Sequence, residues 1–156
     1  MRIVKMLVFS SLLFCSSALA DHLEPYADKF AITLPRLAEM PSSARRNIQC
    51  SAINIYHEAR GTGEKHQAFV AWVVRNRIKS GKYGSDECET VFQTATRNGR
   101  VYAQFAWTIR KSKARFESAS WLTAQKIALD VYDNKIKDTS GGALDLYQTT
   151  HIKHAR

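Results

Sequence analysis

Two helical patterns follow one another directly in the middle of the chain, and each ends at a glycine. The first begins at Ser42 or Ser43, either of which would cap it, and runs to about Arg60, just before Gly61. Its apolar residues recur every three or four positions. The second spans about 64–80 and is apolar over a wide arc, so we expect it to be the central helix of the core.

The other predicted elements are shorter, apart from one further helix. Asn98-Gly99 tolerates the positive φ angles of a type I′ turn and therefore predicts a hairpin. The remaining predictions are one or two helical turns over 86–93, a strand or extended segment over 101–107, a helix over 118–135 and, after a glycine break, an extended run over 143–150. The predicted fold class is α+β, mostly helical, with a small β-hairpin lobe.

The first 20 residues have the layout of a secretory signal peptide. Arg2 and Lys5 precede an apolar run over 6–14, and Ala18-Leu19-Ala20 offers a cleavage site before Asp21. Two alternatives stay open. One is an uncleaved membrane helix, for which the run is marginal against about 30 Å of hydrocarbon. The other is a signal-anchor-release segment that enters the membrane only transiently.

Removal of this leader leaves 136 residues, enough for one domain. We predict a signal peptide over 1–20, an N-terminal arm with one short helix over 21–42, and the main domain over 43–156, acting as a monomer. The mature chain keeps 21 basic and 14 acidic residues, a net charge of +7. This charge suits anionic polymers of a cell envelope. The basic residues are scattered and no nucleic-acid-binding motif occurs, so we expect no nucleic-acid partner.

Two cysteines, Cys50 and Cys88, remain after cleavage and lie 38 positions apart. In an oxidising compartment such a pair is expected to form a disulfide. Closing that loop would stabilise the domain by about 3–4 kcal/mol on chain-entropy grounds. The alternative is two buried thiols that never meet.

Glu58 is the first candidate for acid/base chemistry. It lies in the last turn of the first predicted helix, where the negative end of the helix dipole disfavours a carboxylate and should raise its pKa. A carboxylic acid that protonates a glycosidic oxygen needs such an elevation. The alternative is a surface glutamate paired with Arg60 or Lys65.

Metal and nucleophile chemistry have less support. A zincin helix would need a second histidine three residues after the glutamate of His57-Glu58, and Gly61 stands there. His66 lies beyond the helix break, and His151 and His154 have no supporting spacing. No Gly-x-Ser-x-Gly elbow occurs. We therefore expect neither a metal nor another cofactor.

A two-carboxylate glycosidase would need a partner for Glu58. Asp86, Glu87, Glu89 and Asp145 are candidates, and nothing in the sequence ranks them. The lack of an obvious partner favours a mechanism that uses one carboxylate.

Aromatic and amide side chains are the candidate substrate contacts. Gln104 and Phe105 follow the hairpin turn, and Tyr147 stands in the last extended run. Rings stack on sugar faces and amides bond hydroxyl groups, so these three, with Tyr56, are predicted to bind substrate. The alternative is that Phe105 and Trp107 are simply core residues of the small lobe.

Several blocks of the chain resemble the SleB-type cell wall hydrolases. Residues 55–61 read Ile-Tyr-His-Glu-Ala-Arg-Gly, and Gln67-Ala68 and Asn76-Arg77 follow in the family's order. Residues 88–93 and the Gln-Phe-Ala-Trp of 104–107 resemble its later blocks. The final block, Gly141-Gly142-Ala143-Leu144 with Tyr147, also resembles the family, so the similarity covers about 48–150.

The resemblance implies a lysozyme-like, lytic-transglycosylase-like fold and an exported protein that acts on peptidoglycan. It implies that the domain over 43–156 is catalytic, that Glu58 is the catalytic glutamate, and that the substrate is the MurNAc–GlcNAc strand. In that chemistry one glutamate protonates the leaving oxygen and then takes the proton of the muramyl 6-hydroxyl, which closes a 1,6-anhydro ring.

The chain departs from the family in two places. Relatives carry further cysteines around the Gln-Phe block, where Ala103 and Thr108 or Ile109 stand here, so their disulfide pairing cannot be transferred. The usual Tyr-His of the last block is Tyr147-Gln148. These changes affect the expected far wall of a substrate groove and leave open a non-catalytic relative that binds glycan.

Overall fold

A computed structural model describes residues 26–110 and 116–146. These residues form six α-helices and one two-stranded antiparallel sheet. In chain order the elements are α1 (Ala27–Ala31), α2 (Pro35–Ala38), α3 (Ser42–Ala59), α4 (Glu64–Ser80), α5 (Glu87–Phe92), β1 (Thr94–Arg97), β2 (Arg100–Ala103), a 3-10 turn (Ala106–Thr108) and α6 (Ser118–Tyr132). The predicted α+β fold, mostly helical with a small hairpin lobe, is confirmed.

Glycines end the two central helices where the sequence predicts. Gly61 follows α3 with a φ of 81°, and Gly81 follows α4 with a φ of 68°, a region that glycine enters without a steric penalty. The predicted serine cap of α3 is wrong. Pro41 occupies the cap position, and its carbonyl already accepts the first helical hydrogen bond from the amide of Arg45 at 2.9 Å. Ser42 therefore lies inside the helix.

The centre of the core is shared by α3 and α4, whereas the sequence predicted α4 alone. α3 packs against α4, α5 and α6, and every residue over 48–56 is buried. α6 contributes Trp121, which has no exposed surface. Burial of this continuous apolar surface is the main driving force for folding. It also holds the end of α3, and hence Glu58, against its neighbours.

The predicted hairpin turn is confirmed. Asn98 and Gly99 have φ angles of 52° and 70°, as a type I′ turn requires, and join two exposed strands. The strand predicted over 101–107 ends early, at Ala103. Phe105, only 2% exposed, returns the chain to the core, and the 3-10 turn follows.

The chain after α6 is not the extended strand that the sequence predicted, as far as it is described. Residues 144 and 145 form a bend and Leu146 a turn, and 147–150 lie outside the described residues. Ala143 and Leu146 pack against Phe69 and Val73 of α4. Apolar contact with a helix surface therefore replaces strand pairing.

The N-terminal arm packs on α6, with two short helices where one was predicted. Gln125 accepts a hydrogen bond from the amide of Leu34 at 3.0 Å and donates one to the carbonyl of Ile32 at 2.6 Å. Leu37 of α2 is fully buried. Among the described residues, no helix combines the length and the apolar composition that a membrane crossing requires.

Cys50 of α3 and Cys88 of α5 form the predicted disulfide. Both residues are fully buried. The bond fastens α5, and with it the start of the hairpin lobe, to the helix that carries Glu58.

Candidate active site

Glu58 lies in the last turn of α3 and is half-buried. No ion pair or hydrogen bond to another described residue engages its carboxyl group. Neither Arg60 nor Lys65, the partners considered from the sequence, forms an ion pair with it. The carboxyl group is therefore available to an incoming molecule.

Burial is the main cause of the raised pKa of Glu58. The positive charge of Arg77 acts in the opposite direction and lowers the pKa of the same carboxyl group. The direction of the net change is the one predicted from the sequence. The largest cause differs, since removal from water, rather than the end of the helix, dominates.

Arg77 of α4 is the charged neighbour of Glu58. It is 6% exposed, and its Nε donates a hydrogen bond to the carbonyl of Leu144 at 2.8 Å. The guanidinium lies over two rings, 5.0 Å from the centroid of Tyr83 and 4.7 Å from that of Phe105. Such cation–π contacts favour the charged form of a buried arginine.

Trp107 joins the 104–107 block to α3. Its indole Nε1 donates a hydrogen bond to the side-chain carbonyl of Asn54 at 2.9 Å, and the ring stacks on His57 with centroids 4.3 Å apart. Asn54 is fully buried. The residue immediately before Glu58 is thus covered by the small lobe.

Tyr56, a predicted substrate contact, lies in the core and is 2% exposed. Its hydroxyl oxygen accepts hydrogen bonds from Nη1 of Arg60 at 3.0 Å and from the amide of Glu117 at 2.9 Å. The bond from Glu117 ties the end of α3 to the start of α6, and the bond from Arg60 lies at the end of α3 itself. A direct contact with substrate stays a prediction, and the position favours a structural role.

The other predicted substrate contacts, Phe105, Gln104 and Tyr147, do not share one environment. Phe105 is buried and contacts Arg77, so it supports the charged neighbour of Glu58. Gln104 is half-buried, and its backbone N–H donates a hydrogen bond to the backbone carbonyl of Gln93 at 3.1 Å. Tyr147 lies outside the described residues.

The structure ranks the possible second carboxylates. Asp86 caps α5 and accepts a hydrogen bond from the amide of Glu89 at 2.8 Å. Glu87 forms an ion pair with Arg75 at 3.5 Å. Glu89 itself accepts hydrogen bonds from Ser85, at 2.9 and 2.6 Å. These three carboxylates have structural partners around α5.

Asp145 is different, because its charge acts on Arg77, as that of Glu58 does. It is exposed and lies just after Leu144, whose carbonyl holds Arg77. Of the four candidates, it is therefore the one whose charge acts on the same arginine as that of Glu58.

The histidines of the described residues do not converge. His57 stacks on Trp107, whereas His66 at the start of α4 is exposed and stacks on Phe69. No group of three or more metal-ligating side chains occurs among the described residues. His151 and His154 lie outside them.

Asn76-Arg77 is part of the motif that resembles the family, and the sequence predicted no role for either residue. Both side chains hold residues that lie more than 60 positions later in the chain, including Ser140 and Leu144. An asparagine and an arginine shortly after the apolar stretch of a predicted core helix were the available signal, because such groups need partners when they are buried.

A family model described as Cell Wall Hydrolase matches residues 61–155, more than half of the chain. The match begins after Glu58 and includes Arg77, the 104–107 block and the segment around Asp145. Searches of curated proteins and of solved structures found no match.

Proposed function

The chain belongs to the SleB-type cell wall hydrolases, and we propose that it cleaves the peptidoglycan glycan strand as a lytic transglycosylase with Glu58 as its single acid and base. Membership of this family supports a peptidoglycan-degrading activity in general. The choice of bond, the product and the catalytic residue are our proposals.

The burial and the raised pKa of Glu58 are the main support for the proposal. It is half-buried, burial raises its pKa, and no ion pair with a described residue occupies it. A carboxyl group in this state can hold a proton at a higher pH than an exposed one, as a general acid must. A surface glutamate paired with a lysine would have favoured a non-catalytic relative.

The proposed reaction uses the carboxyl group twice. Glu58 first donates its proton to the glycosidic oxygen, and the bond from that oxygen to C1 of the muramyl residue breaks. The carboxylate then removes the proton of the muramyl 6-hydroxyl, and its oxygen bonds to C1. Glu58 ends protonated, no water is consumed, and one strand is left with a 1,6-anhydro end.

Glu58→Gln tests the acid. The substitution keeps the shape of the side chain and removes the proton donor, so release of muropeptides from purified sacculi should fall by about 10²-fold or more. Glu39→Gln, at an exposed glutamate on the arm, is the matched control and should digest sacculi as the wild type does. Normal digestion by Glu58→Gln would overturn the assignment.

Product analysis separates the possible chemistries. Mass spectrometry of digested sacculi should show anhydromuramyl ends, lighter by one water than hydrolytic products. Reducing ends would indicate a muramidase, and free peptide stems an amidase. Binding to sacculi without turnover by the wild type would indicate a glycan-binding protein that keeps the fold.

Asp145 favours the muramidase as the second candidate. Its charge acts on Arg77, as the charge of Glu58 does. A hydrolytic mechanism would use it as nucleophile or base beside the acid. In that case Asp145→Asn would abolish activity and the wild type would produce reducing ends.

The setting that we propose is outside the cytoplasm. The Cys50–Cys88 disulfide suits an oxidising compartment, as does a family that acts on the cell wall. We propose export through the leader to the periplasm or cell surface, action as a monomer, and no partner among nucleic acids.

A further inference from the structure

Arg77 is a buried cation whose position is fixed on several sides. One hydrogen bond, to the carbonyl of Leu144, and two ring contacts, with Tyr83 and Phe105, hold the guanidinium. Its Nη1 atom is buried and has no hydrogen-bond partner among the described residues. Burial of a charge is costly unless other groups compensate for the lost water, so this arrangement requires a reason.

The neighbouring residue Asn76 fastens the segment that supplies the Leu144 carbonyl. The Asn76 amide lies 3.0 Å from a carboxylate oxygen of Asp138, 3.1 Å from the hydroxyl of Ser140 and 3.4 Å from the carbonyl of Ala143, and it donates to these oxygens. Two consecutive residues of α4 thus bind residues 138–144. This attachment fixes Arg77 in place.

The charges around Arg77 explain the arrangement. Burial lowers its pKa, while Tyr83, Asp145 and Glu58 act in the opposite direction. Arg77 in turn lowers the pKa of Glu58. The charge of Arg77 therefore acts on two carboxylates that lie on different segments. Arg77 is buried and Glu58 is half-buried, so these two charges interact more strongly than in water, whereas Asp145 is exposed.

We propose that Arg77 is a positioning residue that holds a fixed positive charge beside Glu58, and that Asp145 weakens its effect on Glu58 by competing for the same charge. This inference rests on the proposed function of Glu58. When Glu58 donates its proton to the glycosidic oxygen, a carboxylate forms, and Arg77 stabilises it. Arg77 stays protonated throughout and exchanges no proton with the substrate.

Other charges near Glu58 do not replace this one. His57 is neutral at neutral pH, because burial lowers its pKa to about 4. Arg60 follows on the same chain segment and bonds the hydroxyl of Tyr56. Of these groups, Arg77 is the cation that lies on another helix and acts on the charge of Glu58.

Titration of Glu58 by carbon NMR tests the inference without reference to activity, and the signal is assigned by its loss in Glu58→Gln. Arg77→Met should move the titration midpoint of Glu58 to higher pH, because the positive charge that lowers the pKa of Glu58 is gone. Asp145→Asn should move it downward, because Asp145 then no longer offsets the charge of Arg77. Arg77→Lys keeps the charge and should stay closest to the wild type.

Arg75→Met is the matched control for Arg77→Met. It lies on the same helix and forms an ion pair with Glu87, on a different side of α4, so the Glu58 midpoint should not move. Thermal unfolding confirms that each variant is folded. If Arg77→Met does not fold, Asp145→Asn at an exposed residue and Arg77→Lys still decide the matter.

The pH profile of sacculus digestion gives the second measurement. Glu58 must carry its proton at the start, so activity falls as the pH rises through its pKa. That fall should move to higher pH in Arg77→Met, with a lower maximal rate, and to lower pH in Asp145→Asn. A merely structural role would lower the rate at all pH values and leave the fall where it was.

The two proposals fail separately. Suppose that Glu58→Gln is inactive but the titration midpoint of Glu58 is the same in the wild type, Arg77→Met and Asp145→Asn. The role of Arg77 is then refuted and that of Glu58 stands. If the midpoint moves in the two opposite directions but Glu58→Gln digests sacculi normally, the charge coupling stands and the catalytic role of Glu58 is refuted.

Discussion

The imidazole of His57 lies parallel to the indole of Trp107, with ring centroids 4.3 Å apart and planes inclined by 15°. The Nε2 atom of His57 is buried and has no hydrogen-bond partner among the described residues. Burial, followed by the charges of Lys29 and Arg60, lowers the pKa of His57 to about 4. Glu58 therefore has an uncharged, stacked ring as its preceding residue.

This lowered pKa predicts acid sensitivity. The ordinary value is 6.5, so the unfolded chain binds a proton between pH 6.5 and 4 while the folded protein does not. The stabilisation that neutral His57 contributes is complete above pH 6.5 and is lost as the pH falls from 6.5 to about 4. His57→Phe keeps a stacking ring and removes the titration. The free energy of unfolding, measured with denaturant, should fall less between pH 7 and pH 5 than in the wild type.

His66→Phe, at an exposed histidine, is the control and should keep the full acid sensitivity. Equal losses in the two variants and in the wild type would contradict the assignment of this sensitivity to His57.

Tyr56→Phe distinguishes a structural residue from a substrate contact. The change removes the oxygen that accepts hydrogen bonds from Arg60 and Glu117, and should lower the free energy of unfolding by about 1–3 kcal/mol. Tyr102→Phe on the exposed hairpin should have little effect on stability. A raised KM for soluble glycan with unchanged stability would instead support direct binding.

Loss of the disulfide should destabilise the fold. Replacing Cys50 and Cys88 by alanine opens a loop of 38 residues and should cost about 3–4 kcal/mol of unfolding free energy. Denaturant unfolding with and without dithiothreitol measures this. Reductant should lower the unfolding free energy of the wild type and leave that of the double variant unchanged. An equal unfolding free energy of the wild type with and without reductant would contradict this prediction.

The leader is tested by intact mass of protein recovered from the envelope. Cleavage after Ala20 predicts a chain that starts at Asp21. A retained Met1, with membrane association that fades after depolarisation, would instead establish a signal-anchor-release segment. These residues lie outside the part of the chain that the structure describes.

Local patterns were enough to predict the helices and the turn. Gly61, Gly81 and Asn98-Gly99 adopt the positive φ angles expected of them, because those angles depend on the residue itself and on its nearest neighbours. Most of the periodic apolar residues of α3, α4 and α6 are buried, because one face of each helix must leave the water. The place of Glu58 at the end of a helix was predicted in the same way, whereas its catalytic role came from the family resemblance and stays a proposal.

The surroundings of Glu58 were decided by the tertiary structure. Arg77 and Leu144 are 67 positions apart, and Asn54 and Trp107 are 53 apart, so no local pattern connects them. Such contacts form only when several elements pack together, and their energies depend on the burial that this packing creates. The sequence by itself determined that a glutamate stands in the last turn of α3, which made Glu58 a candidate acid. Packing alone decided that Glu58 is half-buried, that the charge of Arg77 acts on it, and that burial lowers the pKa of the preceding His57.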